Sequence, residues 1–199
     1  MALREGMAFR DRKQSKWPMY LVIFISFIMI TSVIGFLYGG QGTTSVRYQG
    51  KKFVRDQKGW STVIEGKKLR FEFLPTDLAQ LNYSLNLTEK IRGRLEWDIT
   101  SSSQDFFAED IALAQYNLGV TANSLNLFIR QGFIGNNSFG LPVIQCRDGS
   151  SEVPVILMRA GNKTMAFAED NCIVVELRSA FDAHAMKDRF LYAYLGLLE

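Results

Sequence analysis

The most prominent pattern in the chain is a long, uninterrupted run of apolar residues close to its N-terminus. Residues 17–46 contain no charged side chain, and residues 19–38 consist mainly of Ile, Phe, Leu, Val, Met and Tyr. Twenty residues at about 1.5 Å each span about 30 Å, the thickness of the hydrocarbon core of a bilayer. A cleaved signal peptide, the main alternative, has an apolar region of only about 7 to 15 residues. We therefore predict an uncleaved transmembrane helix, a signal-anchor, over residues 17–38.

Aromatic and glycine residues mark the two ends of this predicted anchor. Trp17, Tyr20 and Tyr38 lie where amphipathic rings favour the membrane interfaces. The chain that follows is rich in glycine, so residues 39–46 are predicted to form a flexible linker. Residues 47–199 contain no internal repeat, and we expect them to form one domain outside the bilayer.

Three small residues recur at every fourth position of the anchor. Thr31, Gly35 and Gly39 would lie on one face of the helix, where small side chains let a second helix approach closely. This face could contact another membrane protein or a second copy of the chain. Such spacing also arises by chance, so the face is a hypothesis about a partner.

Beyond the linker the hydrophobic pattern changes to short stretches typical of β-strands. Leu95, Trp97 and Ile99 alternate with acidic residues, which predicts a strand over residues 94–100 with one buried face. Further strands are predicted at residues 53–55, 61–64, 69–74, 141–146, 153–159, 163–168 and 172–177. Two of these runs are apolar without alternation, as in central strands covered on both faces. Ala160-Gly161-Asn162 is predicted to be a tight hairpin turn.

Two longer segments have helical periodicity. Apolar side chains recur at every third or fourth position over residues 107–129, which predicts a long helix. A final helix is predicted over residues 181–198, with Ser179 and Asp182 as its capping box. The order of strands, long helix, strands and helix predicts an α+β fold with one mixed sheet and two main packing helices.

The distribution of charge predicts the orientation of the anchor across the membrane. The chain has a formal net charge of +3, and its first 16 residues carry five basic and two acidic side chains. Because basic residues favour the cytoplasmic side, residues 1–16 are predicted to be a cytoplasmic tail, with the C-terminal domain outside the cell membrane. The five basic residues between Arg47 and Lys58 weaken this prediction. The rest of the chain is balanced in charge, which gives no reason to propose nucleic-acid binding.

A local excess of charge remains in the part of the domain nearest the anchor. Residues 47–70 carry eight basic and two acidic side chains. They could touch membrane lipid head groups, or they could be an ordinary solvated strand surface.

Cysteines and sequons supply independent support for an extracytoplasmic domain. Cys146 and Cys172 are the two cysteines of the chain, and in such a compartment they most simply form a disulfide; two buried free thiols are the alternative. Their spacing does not suggest an active redox couple. Glycosylation sequons occur at Asn82, Asn86, Asn136 and Asn162, all in segments expected to be turns. Asn, Ser and Thr also gather in turns without being modified.

Candidate catalytic chemistry is sparse. His184 is the single histidine and lies beside Asp182 and Asp188 on the last predicted helix, where a structural or solvated role is expected. Asp188 is predicted to be half-buried and paired with a basic partner. One histidine and two bridged cysteines cannot complete a zinc shell. We therefore predict no catalytic residue, metal site or cofactor, and identify no small-molecule substrate.

The C-terminal part of the chain contains Pro142-Val-Ile-Gln-Cys146, Asn171-Cys-Ile-Val-Val-Glu176 and Asp188-Arg-Phe-Leu-Tyr192. These segments resemble a family of uncharacterised archaeal single-pass membrane proteins, and the resemblance implies no activity. Val153-Pro154, an apolar strand, a Gly161 turn and a C-terminal helix resemble the back half of the thioredoxin fold, in which a cis proline precedes the third strand. The front half departs from that fold because it has no CxxC motif.

The predicted function follows from the anchor, the neutral domain and the cysteine pair. We expect a membrane-anchored extracytoplasmic structural or interaction module. A membrane-bound thiol-disulfide exchange protein that uses Cys146 and Cys172 is the alternative from another class.

Overall fold

A computed structural model describes residues 16–39, 44–84, 86–169 and 171–198. The chain divides into two compact units, residues 1–43 and residues 44–199. Apart from Lys16, the predicted basic tail lies outside the described residues.

The first unit contains helix α1, Trp17–Gly39, which extends one residue beyond the predicted span. Its 19-residue stretch Trp17–Gly35 is long and apolar enough to cross a membrane, and none of it is buried against protein. The hydroxyl of Thr31 donates a hydrogen bond to the carbonyl of Phe27 at 2.8 Å, which satisfies this polar group inside the helix. Backbone and polar groups satisfied within the helix are what hydrocarbon requires of a spanning segment.

The second unit begins with a four-stranded antiparallel sheet. Its strands follow one another in chain order: β1 (Ser45–Tyr48), β2 (Lys51–Asp56), β3 (Gly59–Ile64) and β4 (Lys67–Phe71). Positive φ at both residues of the Glu65-Gly66 turn is what a type I′ hairpin needs. The predicted strands at 53–55 and 61–64 are confirmed, and the one at 69–74 is confirmed as far as Phe71, where β4 ends. The predicted linker is too long, because Ser45 already pairs with Val54.

A six-stranded sheet and four helices form the rest of this unit. The strands are β5 (Asn82–Tyr83), β6 (Glu96–Ser101), β7 (Phe128–Phe133), β8 (Val155–Ala160), β9 (Met165–Glu169) and β10 (Cys172–Leu177). The helices are α2 (Pro75–Leu78), α3 (Asn86–Ile91), α4 (Ala108–Ser124) and α5 (Ala180–Tyr194). The α+β class is confirmed, but the single predicted sheet is replaced by two.

The strand order of the larger sheet is β5-β9-β10-β8-β6-β7. β7, β6, β8 and β10 are parallel to one another, and β9 is antiparallel to β10. The predicted hairpin at Ala160-Gly161-Asn162 is wrong, because β10 lies between β8 and β9. No described peptide bond is cis, that of Pro154 included. The thioredoxin arrangement, which relied on that hairpin and on a cis proline, is therefore not confirmed.

Two further elements differ from the sequence prediction. The helix expected over residues 107–129 ends at Ser124, because Asn126 has a φ of 59° that no right-handed helix can continue. The chain then forms β7. Residues 141–146 form no strand; Val143 makes one isolated bridge to Phe133, and a 3₁₀ turn follows at Cys146–Asp148.

The six-stranded sheet packs against the main core on one face and is covered over its centre on the other. One face joins α4, α5 and the four-stranded sheet in the main core, which includes Trp97 of β6. On the other face, Val155, Cys172 and Val174 are covered by Ile144 from the loop between β7 and β8. The prediction for β6 is wrong at Asp98, which is fully buried, and at Leu95, which precedes the strand and is 73% exposed. Trp97 and Ile99 are buried as predicted.

Candidate functional site

The two cysteines meet where this covering loop crosses the sheet. Cys146 begins the 3₁₀ turn and Cys172 begins β10, and their Sγ atoms are 2.04 Å apart in a disulfide. Cys172 is fully buried, whereas Cys146 is half-buried. The disulfide therefore fastens the loop to the centre of the sheet.

Two polar contacts fasten the same loop and its neighbouring strand. The Thr100 hydroxyl of β6 donates to the carbonyl of Ile144 at 2.9 Å. Beside it, the fully buried Asp98 carboxylate accepts two hydrogen bonds from Arg130 of β7, one of them at 2.7 Å from Nε. This bond raises the pKa of the Arg130 guanidinium. A bidentate pair of this kind fixes β7 against β6.

The four sequon asparagines are all exposed, but their backbone settings differ. Asn136 follows β7 and Asn162 lies between β8 and β9, both outside regular structure as predicted. Asn82 instead begins β5 and Asn86 begins α3, so the expectation of turns is wrong for these two. Thr88, whose hydroxyl completes the Asn86 sequon, is buried in the folded domain.

A charged cluster lies where the four-stranded sheet ends against α5. The buried Asp188 carboxylate accepts hydrogen bonds from the backbone amides of Glu72 at 2.6 Å and Phe73 at 3.0 Å. The Lys187 ammonium donates to Asp188 at 2.6 Å and lies 3.2 Å from the Glu72 carboxylate. The Nδ1 atom of His184 lies 3.1 Å from the same Glu72 oxygen.

These contacts give the cluster a structural role. Asp188 is paired with a basic residue as predicted, although it is fully rather than half buried. Burial raises the pKa of its carboxyl, while Lys187 and the two backbone amides oppose that rise. Its oxygens are occupied in holding the end of β4 on α5. Within the described ranges, no group of three His, Cys, Asp or Glu side chains could hold a metal ion.

An open strand edge is the feature that sequence reasoning missed. β7 is the last strand of its sheet. The Phe128 amide donates to Leu95 of the neighbouring chain segment at 2.8 Å, whereas the Phe133 amide donates to the opposite side, to Pro142. Because bonding direction alternates along a strand, Ile129 and Gln131 direct their amides and carbonyls away from β6. Over these residues no described strand pairs with the edge.

Exposed apolar side chains border this edge. Tyr116 and Val120 of α4 are 62% and 56% exposed, and Phe128 of β7 is 61% exposed. Together with the edge they line a groove of about 350 Å³ whose lining contains no charged residue. Exposed apolar groups that adjoin free backbone donors and acceptors can bind an extended peptide by adding a strand.

The small-residue face of α1 is partly described. Thr31 and Gly35 are exposed on the helix, and apart from the adjacent residues and the helix backbone no atom lies within 4 Å of the position of a Cβ at Gly35. Gly39 is the last helical residue. Nothing in these contacts assigns the face a partner. In comparisons with known proteins, no protein family, no curated protein and no solved structure matches this chain.

Proposed function

We propose that this protein is a single-pass membrane protein whose extracytoplasmic domain binds an extended segment of another protein. The open edge of β7 beside an uncharged apolar groove carries this proposal. The occupant that fits is a short β-strand with apolar side chains, because a charged segment would find no opposite charge in the groove. Backbone hydrogen bonds to Ile129 and Gln131 would supply affinity.

The membrane and compartment parts of the proposal have separate support. The apolar helix α1 suits a bilayer span, and the Cys146–Cys172 disulfide suits an oxidising compartment. The exposed sequons at Asn136 and Asn162 suit the same compartment if glycosylation operates there. We also propose, from the motifs around Cys146 and Asp188, membership of the archaeal single-pass family, and a lateral contact through Thr31, Gly35 and Gly39.

Photo-crosslinking of the full chain in its native membrane tests the binding groove. A photoreactive amino acid at Asn123, an exposed residue of the groove, should form an adduct with a different protein. The adduct should be lost when Val120→Glu and Phe128→Glu place carboxylates in the groove. Phe106→Glu is the matched control, since Phe106 is exposed before the start of α4 and outside the groove. An adduct with a second copy of this chain, or one that survives the groove variants, contradicts the proposal.

Thiol-disulfide exchange is the second candidate function. Its support is the partial exposure of Cys146, which could admit an attacking thiolate, whereas Cys172 is buried. Reduction of insulin by the purified full chain, abolished by Cys146→Ser, would favour this enzyme over the interaction module. No turnover above that of the variant would reject it.

A further inference from the structure

The two faces of the four-stranded sheet differ in how much apolar surface they carry. One face carries Phe53, Leu69 and Phe71 into the main core. Alternation along the strands places Arg47, Lys52, Lys68 and Arg70 on the opposite face, which is open to solvent. We name these four residues the basic face.

Register brings the cations of the basic face close together. Arg47 lies directly opposite Lys52 across the β1–β2 pair. Like charges in this position destabilise an isolated sheet, and an anionic partner would relieve that repulsion. Asp56, the acidic residue described on this face, lies 3.5 Å from Arg70 and leaves the other three cations unneutralised.

An apolar side chain stands among these cations. Val63 is 59% exposed and lies opposite Lys68 in the β3–β4 register. Lys52, Val63 and Lys68 line a shallow groove of about 450 Å³. Lysine ammonium groups around an exposed apolar side chain suit the boundary between lipid head groups and acyl chains. There the ammonium groups can contact lipid phosphates, and the Val63 side chain is removed from water.

Chain connectivity limits how far this sheet can be from a membrane. Helix α1 ends at Gly39 and β1 begins at Ser45. Six peptide steps reach at most about 20 Å when fully extended. A bilayer that contains α1 is therefore within reach of the first strand, and the tether raises the effective concentration of its head groups.

We propose that the basic face docks on the anionic lipid head groups of the bilayer that holds α1. This inference rests on the proposed membrane anchoring, which supplies the tether. A nucleic acid would meet the same cations, but the chain outside its N-terminal tail is neutral overall and no tether brings a nucleic acid to this face. The charges serve to orient the domain on the membrane surface, and the docking weakens as salt screens them.

Lysine acetylation of the full chain in nanodiscs measures the docking. Nanodiscs of phosphatidylcholine alone are compared with nanodiscs that also contain phosphatidylglycerol, and peptide mass spectrometry gives the acetylation rate of each lysine. In about 50 mM salt, phosphatidylglycerol should slow acetylation of Lys52 and Lys68 by about threefold or more, and about 500 mM salt should remove the effect. Lys163, an exposed lysine between β8 and β9, should react at the same rate in both discs.

Charge-reversal variants distinguish docking through the basic face from a general attraction of the protein's net charge to anionic lipid. Arg47→Glu with Arg70→Glu should abolish the slowing at Lys52 and Lys68. The matched control, Arg147→Glu with Arg178→Glu, changes the net charge equally at exposed positions outside the basic face and should preserve the slowing.

Each failure has its own meaning. Equal acetylation rates of Lys52 and Lys68 in the two nanodiscs, or equal effects of the two double variants on these rates, overturn the inference. If the chain still co-purifies with phosphatidylcholine nanodiscs, the proposed anchoring is unaffected. A chain that enters no nanodisc overturns the anchoring itself. Protection of Lys52 and Lys68 by a DNA duplex but not by phosphatidylglycerol assigns the face to nucleic acid and also overturns the inference.

Discussion

At the scale of single residues, Asp98 is a fully buried carboxylate within the six-stranded sheet. It lies on a central strand with no exposed surface, where an unpaired carboxylate would be strongly unfavourable. Arg130 supplies both of its hydrogen bonds from the adjacent strand, and Asp98 and Arg130 are directly paired in the β6–β7 register. An ion pair that the sequence pattern did not reveal therefore holds the edge strand β7 in addition to its six-residue ladder with β6.

Removal of one partner of this pair should destabilise the domain. Arg130→Met leaves the Asp98 carboxylate buried and unpaired, and we expect a loss of about 3 kcal/mol in the free energy of unfolding. This is the lower end of the range for broken buried pairs, because water can reach the exposed half of the Arg130 side chain. Chemical denaturation of the full chain in detergent micelles measures the loss.

The double variant Asp98→Asn with Arg130→Met is the control for this prediction. It removes both charges while preserving volume, so it should recover a large part of the lost stability. A double variant that is no more stable than Arg130→Met would show that the loss comes from packing rather than from an unpaired charge.

At the scale of elements, a loop covers one face of the six-stranded sheet, where a helix or a second sheet would usually pack. Residues 134–154 contain no helix longer than the turn Cys146–Asp148 and no strand, yet Ile144 closes the second core of the sheet. Regular elements hold their position through many backbone bonds, whereas this loop has few, which include the bridge to β7 and two backbone hydrogen bonds to β6. The disulfide and the Thr100 contact add to them. The cysteine pair therefore stabilises the layer that covers β8 and β10.

Removal of the disulfide should loosen this layer before the rest of the domain. Cys146→Ser with Cys172→Ser should cost about 3.5 kcal/mol, the chain-entropy value for a closed loop of about 27 residues. Amide hydrogen exchange should accelerate in the loop around Ile144, while α5, which lies on the other face of the sheet, should keep its protection. Uniform acceleration through α5 would contradict a local role for the disulfide.

The elements that sequence predicted well are those with a strong, undisturbed period. β2, β3, β4, β6, β8, β9 and β10 were predicted because their apolar residues alternate or run unbroken, and α5 because Ser179 and Asp182 cap its start. β1, β5 and α3 are four, two and six residues long, which is too short for a periodic signal. β7 was missed because Ile129 continues the apolar stripe of α4 with helical spacing.

The candidate sites show the same division. The disulfide could be predicted because a chain with two cysteines allows one pairing. The excess of basic residues over 47–70 was visible, but which of them share a face required the strand register, because alternation puts Lys51, Arg55 and Lys67 on the core-facing side. The free edge of β7 depends on which strands are neighbours, and strand order is a non-local property that periodicity does not encode.

At the scale of the whole molecule, the distribution of charge leaves two opposing signals for orientation. Five basic residues precede α1, and five more lie between Arg47 and Lys58, shortly after it. Two residues of the second group, Arg47 and Lys52, lie on the basic face that we propose docks on lipid head groups, which suits a position outside the cytoplasm. We therefore expect the tail to set the direction. The disulfide between Cys146 and Cys172 agrees with export of the domain, because thiols stay reduced in the cytosol.

Protease protection tests this orientation in the full chain. In sealed, right-side-out vesicles, added protease should digest the domain and spare a tag at the N-terminus, and inverted vesicles should give the opposite result. Replacement of the five basic residues of the tail by Gln should produce mixed orientations, because the remaining cations then lie on the other side of α1. The same replacement at Arg47, Lys51, Lys52, Arg55 and Lys58 is the control and should preserve the orientation. An N-terminal tag digested from outside, with Cys146 and Cys172 alkylated without prior reduction, would place the domain in the cytoplasm and contradict the prediction.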